Sequence, residues 1–415
     1  MAAIASALPD ARDAPSPAVA PPPGNPRFPL FDSLRAIAVL AVVTFHVTSI
    51  TGDLDKHLIG NVFAVFGSQG LTLFFVISGF LLYRPFVAAR AQGEPLPNTI
   101  RYARRRVLRI VPAYWTALTV LAIFPGLAGV FTGDWWRYYF FLQLYSNRTV
   151  TAGIPVAWTL CVEVSFYIAL PLWAAAVRRL RLGSGSRAWL SSELIALGAL
   201  ALLGAGAQIL AARQIVATVV SNSLLGACVW FALGMALAVA SVADSRSQRT
   251  SRAVRIVAEH SGLCWIGAAA CLIGVAAVLQ PGGLLNIVLS LSTKQPIGRT
   301  VGSILLTGVL MTLLVSPAVF GEGAGGLPRR ILRVAPLAWL GLVSYGIYLW
   351  HLPVAELLGL TADKQHFSSS GLGLVAKVHF ATTPVLFLAT LGVTAVVAAA
   401  SYHFVELPFL RRKEA

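Results

Sequence analysis

Ten separated stretches of about 17 to 25 mostly apolar residues run along the chain, each long enough to cross a bilayer as a helix. They lie at 34–50, 66–88, 107–131, 156–177, 193–212, 222–241, 261–279, 298–320, 336–358 and 382–405. Backbone polar groups find no partner in hydrocarbon, so segments of this length are expected to be helical. Of the 415 residues, 57% are hydrophobic and only 12% charged, against about 25% charged in a soluble domain. The expected fold is therefore an all-α integral membrane bundle of about ten transmembrane helices over residues 30–410. Pro112 and Pro125 fall in the third stretch, and YYFFLQLY at 138–145 reads as a re-entrant or interfacial piece. No internal repeat is evident. Cys161, Cys228, Cys264 and Cys271 all fall in apolar stretches without metal-ligand spacing, so they read as packing residues and no metal is expected.

A net charge of +16 could point to nucleic acid, but its placement argues otherwise. With the spans above, one side of the membrane receives 23 basic loop and tail residues and the other receives eight. The rich side includes Arg101, Arg104, Arg105, Arg106 and Arg109 after the second span, Arg252 after the sixth, and Arg329, Arg330 and Arg333 after the eighth. By the positive-inside rule that side, with both termini, is cytoplasmic. Residues 1–29, rich in Ala and Pro, read as a disordered cytoplasmic tail without the basic start and apolar core of a signal peptide. Residues 411–415 read as a short basic tail. The expected location is the cell membrane, with lipid and not nucleic acid as the surrounding partner.

Ionisable groups inside a span are costly and usually face the protein interior for a reason. His46, Glu163 and His351 fall at similar depth, about four to seven residues, or roughly 6–10 Å, from the outer ends of their spans. Arg35 and His46 are eleven residues apart, which places them on one helical face with about 16 Å between them. This puts one group at the cytoplasmic mouth of a cavity and the other deep within it, a layout suited to a long substrate with an anionic head. Arg106 and Arg109 share a face near the membrane surface and could hold phosphate or pyrophosphate. Glu163 with Tyr167, and Ser344 with Tyr348 and His351, form two polar stripes. Each of these groups also has a plainer reading: Arg35 as a membrane-surface anchor paired with Asp32, the arginine cluster as a topology signal, and the histidines and polar stripes as helix–helix contacts.

Six stretches carry a resemblance. They are FDSLRAIAVLAVVTFH (31–46), GLTLFFVISGFLL (70–82), RRVLRIVPAYW (105–115), WTLCVEVSFYIALPL (158–172), SYGIYLWHLPV (344–354) and YHFVELPF (402–409). In these, and in their order, the sequence resembles the acyltransferase-3 family of integral-membrane O-acyltransferases. The resemblance implies transfer of an acyl group from acyl-CoA, a co-substrate rather than a bound cofactor, to a hydroxyl. It also implies a glycan, glycolipid, peptidoglycan or macrolide-type acceptor and a short acyl group such as acetyl. The family's Arg-x10-His pattern falls on Arg35 and His46, and its Arg-x-x-Arg pattern on Arg106 and Arg109. Some members carry an esterase-like domain after the membrane part, and none is expected here. Residues 180 to 335 match only in apolar, helical character.

Taken together, these features make His46 the candidate general base, with Glu163 orienting or charge-stabilising it. Transfer through an acyl-histidine remains an open alternative. Arg35, Arg106 and Arg109 are the candidate donor-binding residues, and Ser78, Tyr167, Tyr348 and His351 are candidate cavity-lining residues. The rival from another class is a multi-spanning transporter or exporter, which would carry repeats and paired broken helices. The orientation can be tested by placing single cysteines at positions 56, 104, 148 and 252 in a background without native cysteines. An impermeant thiol reagent on intact cells should label the positions of Lys56 and Arg148 and spare those of Arg104 and Arg252; the reverse pattern overturns the orientation.

Overall fold

The computed structural model describes residues 28–53, 58–146, 148–150, 152–180, 188–247, 251–279, 294–320, 325–359 and 382–411. The segment 1–27 of the expected N-terminal tail and residues 412–415 lie outside the described residues. The long helices are α1 (Leu30–Ile50), α2 (Leu58–Gln92), α3 (Thr99–Ile123), α4 (Trp158–Arg179), α5 (Ala188–Ala212), α6 (Leu224–Ser245), α7 (Ser261–Leu279) and α8 (Ile297–Val319). They are followed by α9 (Ala335–Leu342), α10 (Ser344–Leu358) and α11 (Thr383–Ser401). Among the described residues nine helices are long and apolar enough to cross a bilayer, and α9 with α10 meets the same length and composition only as a bent pair. The bundle expected from the sequence is the bundle observed.

Helix α2 is the central column, with α1 on one side and α6 on the other; α5 backs onto α6, α7 pairs with α8, and α10 pairs with α11. The α2–α6 crossing brings backbone against backbone. A Cβ added to Gly234 would lie 2.1 Å from the Val76 carbonyl oxygen, and one added to Gly79 would lie 2.5 Å from that of Phe231. No larger residue fits there, which is the small-residue packing expected where lipid supplies no hydrophobic drive between helices. Large apolar side chains remain exposed around the outside, among them Leu172, Leu202, Leu388, Val396 and Phe404. On a soluble protein such a belt would be an aggregation hazard; here it is the lipid-facing surface.

Two spans differ from their expected outlines. The third ends at Ile123, not near 131, because Phe124 precedes Pro125 and adopts an extended backbone (φ −146°, ψ 125°), as the residue before proline tends to. Pro112, by contrast, sits within α3 without ending it. The ninth span is not one helix: α9 and α10 meet at Val343 with a bend of 74°. The Ser344 hydroxyl donates to the Gly341 carbonyl at 2.8 Å and so takes up one backbone group freed at the break. The 138–145 stretch does not cross. It forms short helical turns at Trp135–Tyr139 and Gln143–Tyr145, anchored by Tyr114 and Trp115 of α3, which donate to the carbonyls of Tyr138 and Tyr139 at 2.9 Å each.

At the arginine-rich face, one of the residues that reads as a topology signal is buried instead. Arg329, in the short helix Leu327–Leu332, is only 1% exposed. Its guanidinium donates to five carbonyls, those of Pro317, Phe320, Gly325, Val257 and Ala258. It thereby gathers the C-terminal carbonyls of α8 and of the helix Arg252–Glu259 around one cation, where the helix dipoles favour positive charge. Arg329→Met should lower stability by on the order of 3 kcal/mol, since several buried acceptors lose their donor at once. Arg329→Lys, which keeps the charge but has fewer donors, should fall between the two. An unchanged melting temperature for Arg329→Met in detergent would show the clamp to be dispensable.

Candidate active site

Four helices converge on a cavity of about 110 Å³ within the bundle. Helix α1 supplies Arg35, α2 supplies Phe74, Phe75 and Ser78, α3 supplies Arg106 and Arg109, and α4 supplies Thr159, Glu163 and Tyr167. The start of α10 closes it with Ser344, Tyr345 and Tyr348. Seven of the nine candidate residues named from the sequence therefore line one space. They come from segments as far apart as positions 35 and 348, and only the packing brings them together.

Glu163 is the lone acidic residue among the described cavity-lining side chains, and its Oε1 is held on two sides. Ser78 Oγ donates to it at 2.8 Å and Tyr167 Oη at 2.5 Å. The Arg106 guanidinium lies 5.9 Å from the centroid of the Tyr167 ring, and its Nε is buried with no hydrogen-bond partner among the described residues. Arg35 pairs with Asp32 at 3.0 Å, one turn nearer the arginine-rich face. With Arg35 paired to Asp32, Arg106 and Arg109 face the one glutamate, and the excess positive charge makes this low-dielectric pocket attractive to an anion. Tyr345 donates to the Ile110 carbonyl at 2.9 Å, fixing α10 against the arginine-bearing helix.

Beyond Arg35 the cavity meets a vestibule of about 940 Å³, which shares Arg35 and Leu81 with it. Arg84, Arg101 and Arg246 line this vestibule together with Asp32 and Glu94. These three arginines read in the sequence only as topology signals. Nothing in their local spacing shows that they surround one opening. A chamber of this size can accept a nucleotide-sized group; the inner cavity cannot. Among the described residues, no group of three or more His, Cys, Asp or Glu side chains converges as a metal site.

His46 and His351 form a pair of their own beside Tyr348. Their rings are 4.9 Å apart, and His351 Nε2 lies 3.1 Å from His46 Nδ1. The network fixes the tautomers. His351 Nδ1 faces the carbonyls of Tyr348 (2.8 Å) and Ile347 (3.2 Å), which can only accept, so it carries the hydrogen and Nε2 is the acceptor. His46 Nδ1 faces the Val42 carbonyl at 2.9 Å as well as His351 Nε2, so it too carries the hydrogen. The lone pair of His46 is then on Nε2, the nitrogen that can take a proton. His46 Nδ1 lies against His351 Nε2, while Glu163, expected from the sequence to hold this histidine, receives Ser78 and Tyr167 at Oε1. Similar depth in the membrane was the one sequence signal for the histidine pairing.

Tyr348 links the pair to the cavity. Its hydroxyl donates to the Val156 carbonyl at 2.6 Å and meets the Thr159 hydroxyl, while its carbonyl accepts from His351. A second buried network lies on α2 and α5: Glu193 accepts from Tyr83 at 2.5 Å and pairs with Arg90 at 2.7 Å. It lies outside the residues that line the cavity and ties the two helices together.

Three comparisons with known proteins bear on this arrangement. The peptidoglycan O-acetyltransferase OatA of Listeria monocytogenes is 24% identical over 413 residues, covering 92% of this chain and 55% of its own length. The putative peptidoglycan O-acetyltransferase YrhL of Bacillus subtilis is 24% identical over 405 residues, covering 92% of this chain and 54% of its own. The chain thus spans little more than half the length of these relatives. An O-acetyltransferase OatA of Staphylococcus aureus is 25% identical over a shorter stretch of 163 residues, 36% of this chain and 25% of its own. No solved structure matches. The family model described as an acyltransferase domain matches residues 29–403, nearly all of the described bundle, and the chain belongs to the acyltransferase-3 family.

Proposed function

We propose that this chain is a membrane-embedded O-acyltransferase that takes a short acyl group from cytoplasmic acyl-CoA and places it on a hydroxyl of a cell-envelope glycan. The observation that carries this reading is the joined pair of spaces on the arginine-rich side. A vestibule large enough for a nucleotide leads past Arg35 to a small cavity holding Arg106 and Arg109, with a histidine pair beside its far wall. The nucleotide end of the donor sits among the vestibule arginines, its pyrophosphate reaches inward to Arg35, Arg106 and Arg109, and the pantetheine arm runs beyond them. A cavity of about 110 Å³ favours a short acyl group over a fatty chain. The relatives named as peptidoglycan O-acetyltransferases support both acetyl as the group and a glycan as the acceptor.

The chemistry follows from the tautomers. His46 Nε2 takes the proton of the acceptor hydroxyl as its oxygen attacks the thioester carbonyl. The new C–O bond forms, the C–S bond breaks, and the coenzyme A thiolate takes up the proton as it leaves toward the cytoplasm. His351 keeps the His46 lone pair on Nε2 by accepting from Nδ1, as a second group orients the base in a catalytic triad. A transporter would share the break at Val343, but such folds carry broken helices in pairs, and among the described residues there is one bent pair.

Arg106→Ala and Arg109→Ala should each insert normally and raise the donor KM, or lower kcat/KM, about 10-fold or more, because a charge-assisted hydrogen bond is worth roughly 1.5–3 kcal/mol. Wild-type donor kinetics in both would reduce these arginines to topology signals. His46→Ala should lower kcat by about 10²–10⁴-fold with melting temperature and acyl-CoA binding preserved. Retention of more than about a tenth of the activity would refute the base assignment, and a trapped acyl-protein adduct on His46 would replace it with covalent transfer. His351→Ala should cost less and displace the pH–rate profile, while His351→Gln, whose amide oxygen can accept from His46 Nδ1, should recover part of the loss.

A further inference from the structure

A third space, of about 310 Å³, opens at the end of the bundle opposite the arginine-rich face. Its walls come from the first half of α2, the C-terminal end of α5, the first turns of α6 and the first half of α8. The lining differs in kind from the donor cavity. Where that space holds three arginines, this one holds amides and hydroxyls, including Gln69, Asn222 and Ser303, and two indoles, Trp158 and Trp230. Arg299 is the single charged side chain among its described lining residues, and its Nη1 donates to Gln295 at 3.3 Å. Gln69 Oε1 is buried without a hydrogen-bond donor among the described residues, although its amide nitrogen reaches Ser68 Oγ at 3.3 Å.

The two spaces share Leu71 and Phe75 of α2, so a wall of two apolar side chains separates them. Trp158 precedes Thr159, whose hydroxyl meets Tyr348, and His351 stands one turn beyond. The third space is thus joined through adjacent side chains to the histidine pair.

We propose that this cavity is the acceptor subsite and that it takes a saccharide ring, presenting one hydroxyl across Leu71 and Phe75 to the acyl group. The proposal rests on the acyl-transfer reading above. Sugar hydroxyls both donate and accept, as side-chain amides do, and the C–H face of a pyranose packs against an indole. One arginine at the rim suits a ligand with a single anionic substituent such as a carboxylate. Donor and acceptor then enter from opposite ends of the bundle and meet at the middle of α2.

The test is calorimetric titration of the protein in lipid nanodiscs with the N-acetylglucosamine–N-acetylmuramic acid disaccharide, beside a parallel titration with acetyl-CoA. The disaccharide should bind the wild type. Arg299→Gln should weaken it about tenfold, as loss of one charge-assisted contact predicts, and Asn222→Ala should weaken it several-fold. Ser303→Trp, which fills the space, should abolish it. Because Arg299→Gln shortens the side chain and removes its charge, and Asn222→Ala truncates, neither overfills the space, and they decide the matter even if the tryptophan variant fails to fold. Failure of the wild type to bind the disaccharide, or wild-type affinity in folded Arg299→Gln and Asn222→Ala, overturns the proposal. Disaccharide binding that responds to these variants in a protein that does not bind acetyl-CoA would keep the saccharide site and sink the acyl-transfer reading instead.

Discussion

Hydrocarbon offers a polar side chain no partner, so each ionisable group carried into this bundle must be matched inside the protein or kept in a solvated space. The consequences can be followed group by group. Arg329 collects five carbonyls at the ends of two helices. Glu193 takes Tyr83 and Arg90. Glu163 takes Ser78 and Tyr167, and His46 takes His351. The first two networks join helices, and none of their side chains lines the cavity or the vestibule, which fits a structural role. The other two border a cavity, and the charges around it are unequal. Arg106 and Arg109 face one glutamate there, so the local imbalance is itself the evidence for an anionic guest.

The same constraint explains why α1 and α2 carry so much of the arrangement. Helix α1 holds Arg35 near the arginine-rich face and His46 about three turns deeper on the same side, so a single helix sets the distance between the guanidinium and the imidazole. Helix α2 is wedged between α1 and α6 by glycine contacts that leave no room for adjustment. Its Leu71 and Phe75 then stand between a space lined by three arginines and one lined mainly by amides and hydroxyls with a single arginine.

The sequence shows the fold at the level where lipid imposes it. The crossings were legible because apolar length is a property of one segment at a time. The errors fall where backbone detail overrides that signal. Phe124 before Pro125 stops α3 early, and the break at Val343 divides a span whose composition gives no hint of a bend. Within the site, the Arg35–His46 relation was legible because both residues belong to one helix. The pairing of His46 with His351 was not, since 305 positions separate them and only the packing of α1 against α10 makes them neighbours. Depth brought Glu163 into the same frame as His46, but depth says nothing about azimuth, and Glu163 faces Ser78 and Tyr167.

The arginines show most clearly what separates topology from chemistry in such a chain. The positive-inside rule needs only that basic residues lie on one side, and it is indifferent to which of them touch each other. Once a bundle has gathered its arginines at one face, a cleft between helices at that face is cationic without further design. Arg84, Arg101 and Arg246 line the vestibule in this way, although they arise from three separate helix ends. Arg106 and Arg109 go further, because they line the cavity itself, and Arg106 keeps a buried Nε with no partner among the described residues. A topology signal has no reason to point inward and pay that desolvation. An anion that neutralises the buried group would supply the reason, and under the proposed function the same residues serve both orientation in the membrane and recognition of the donor.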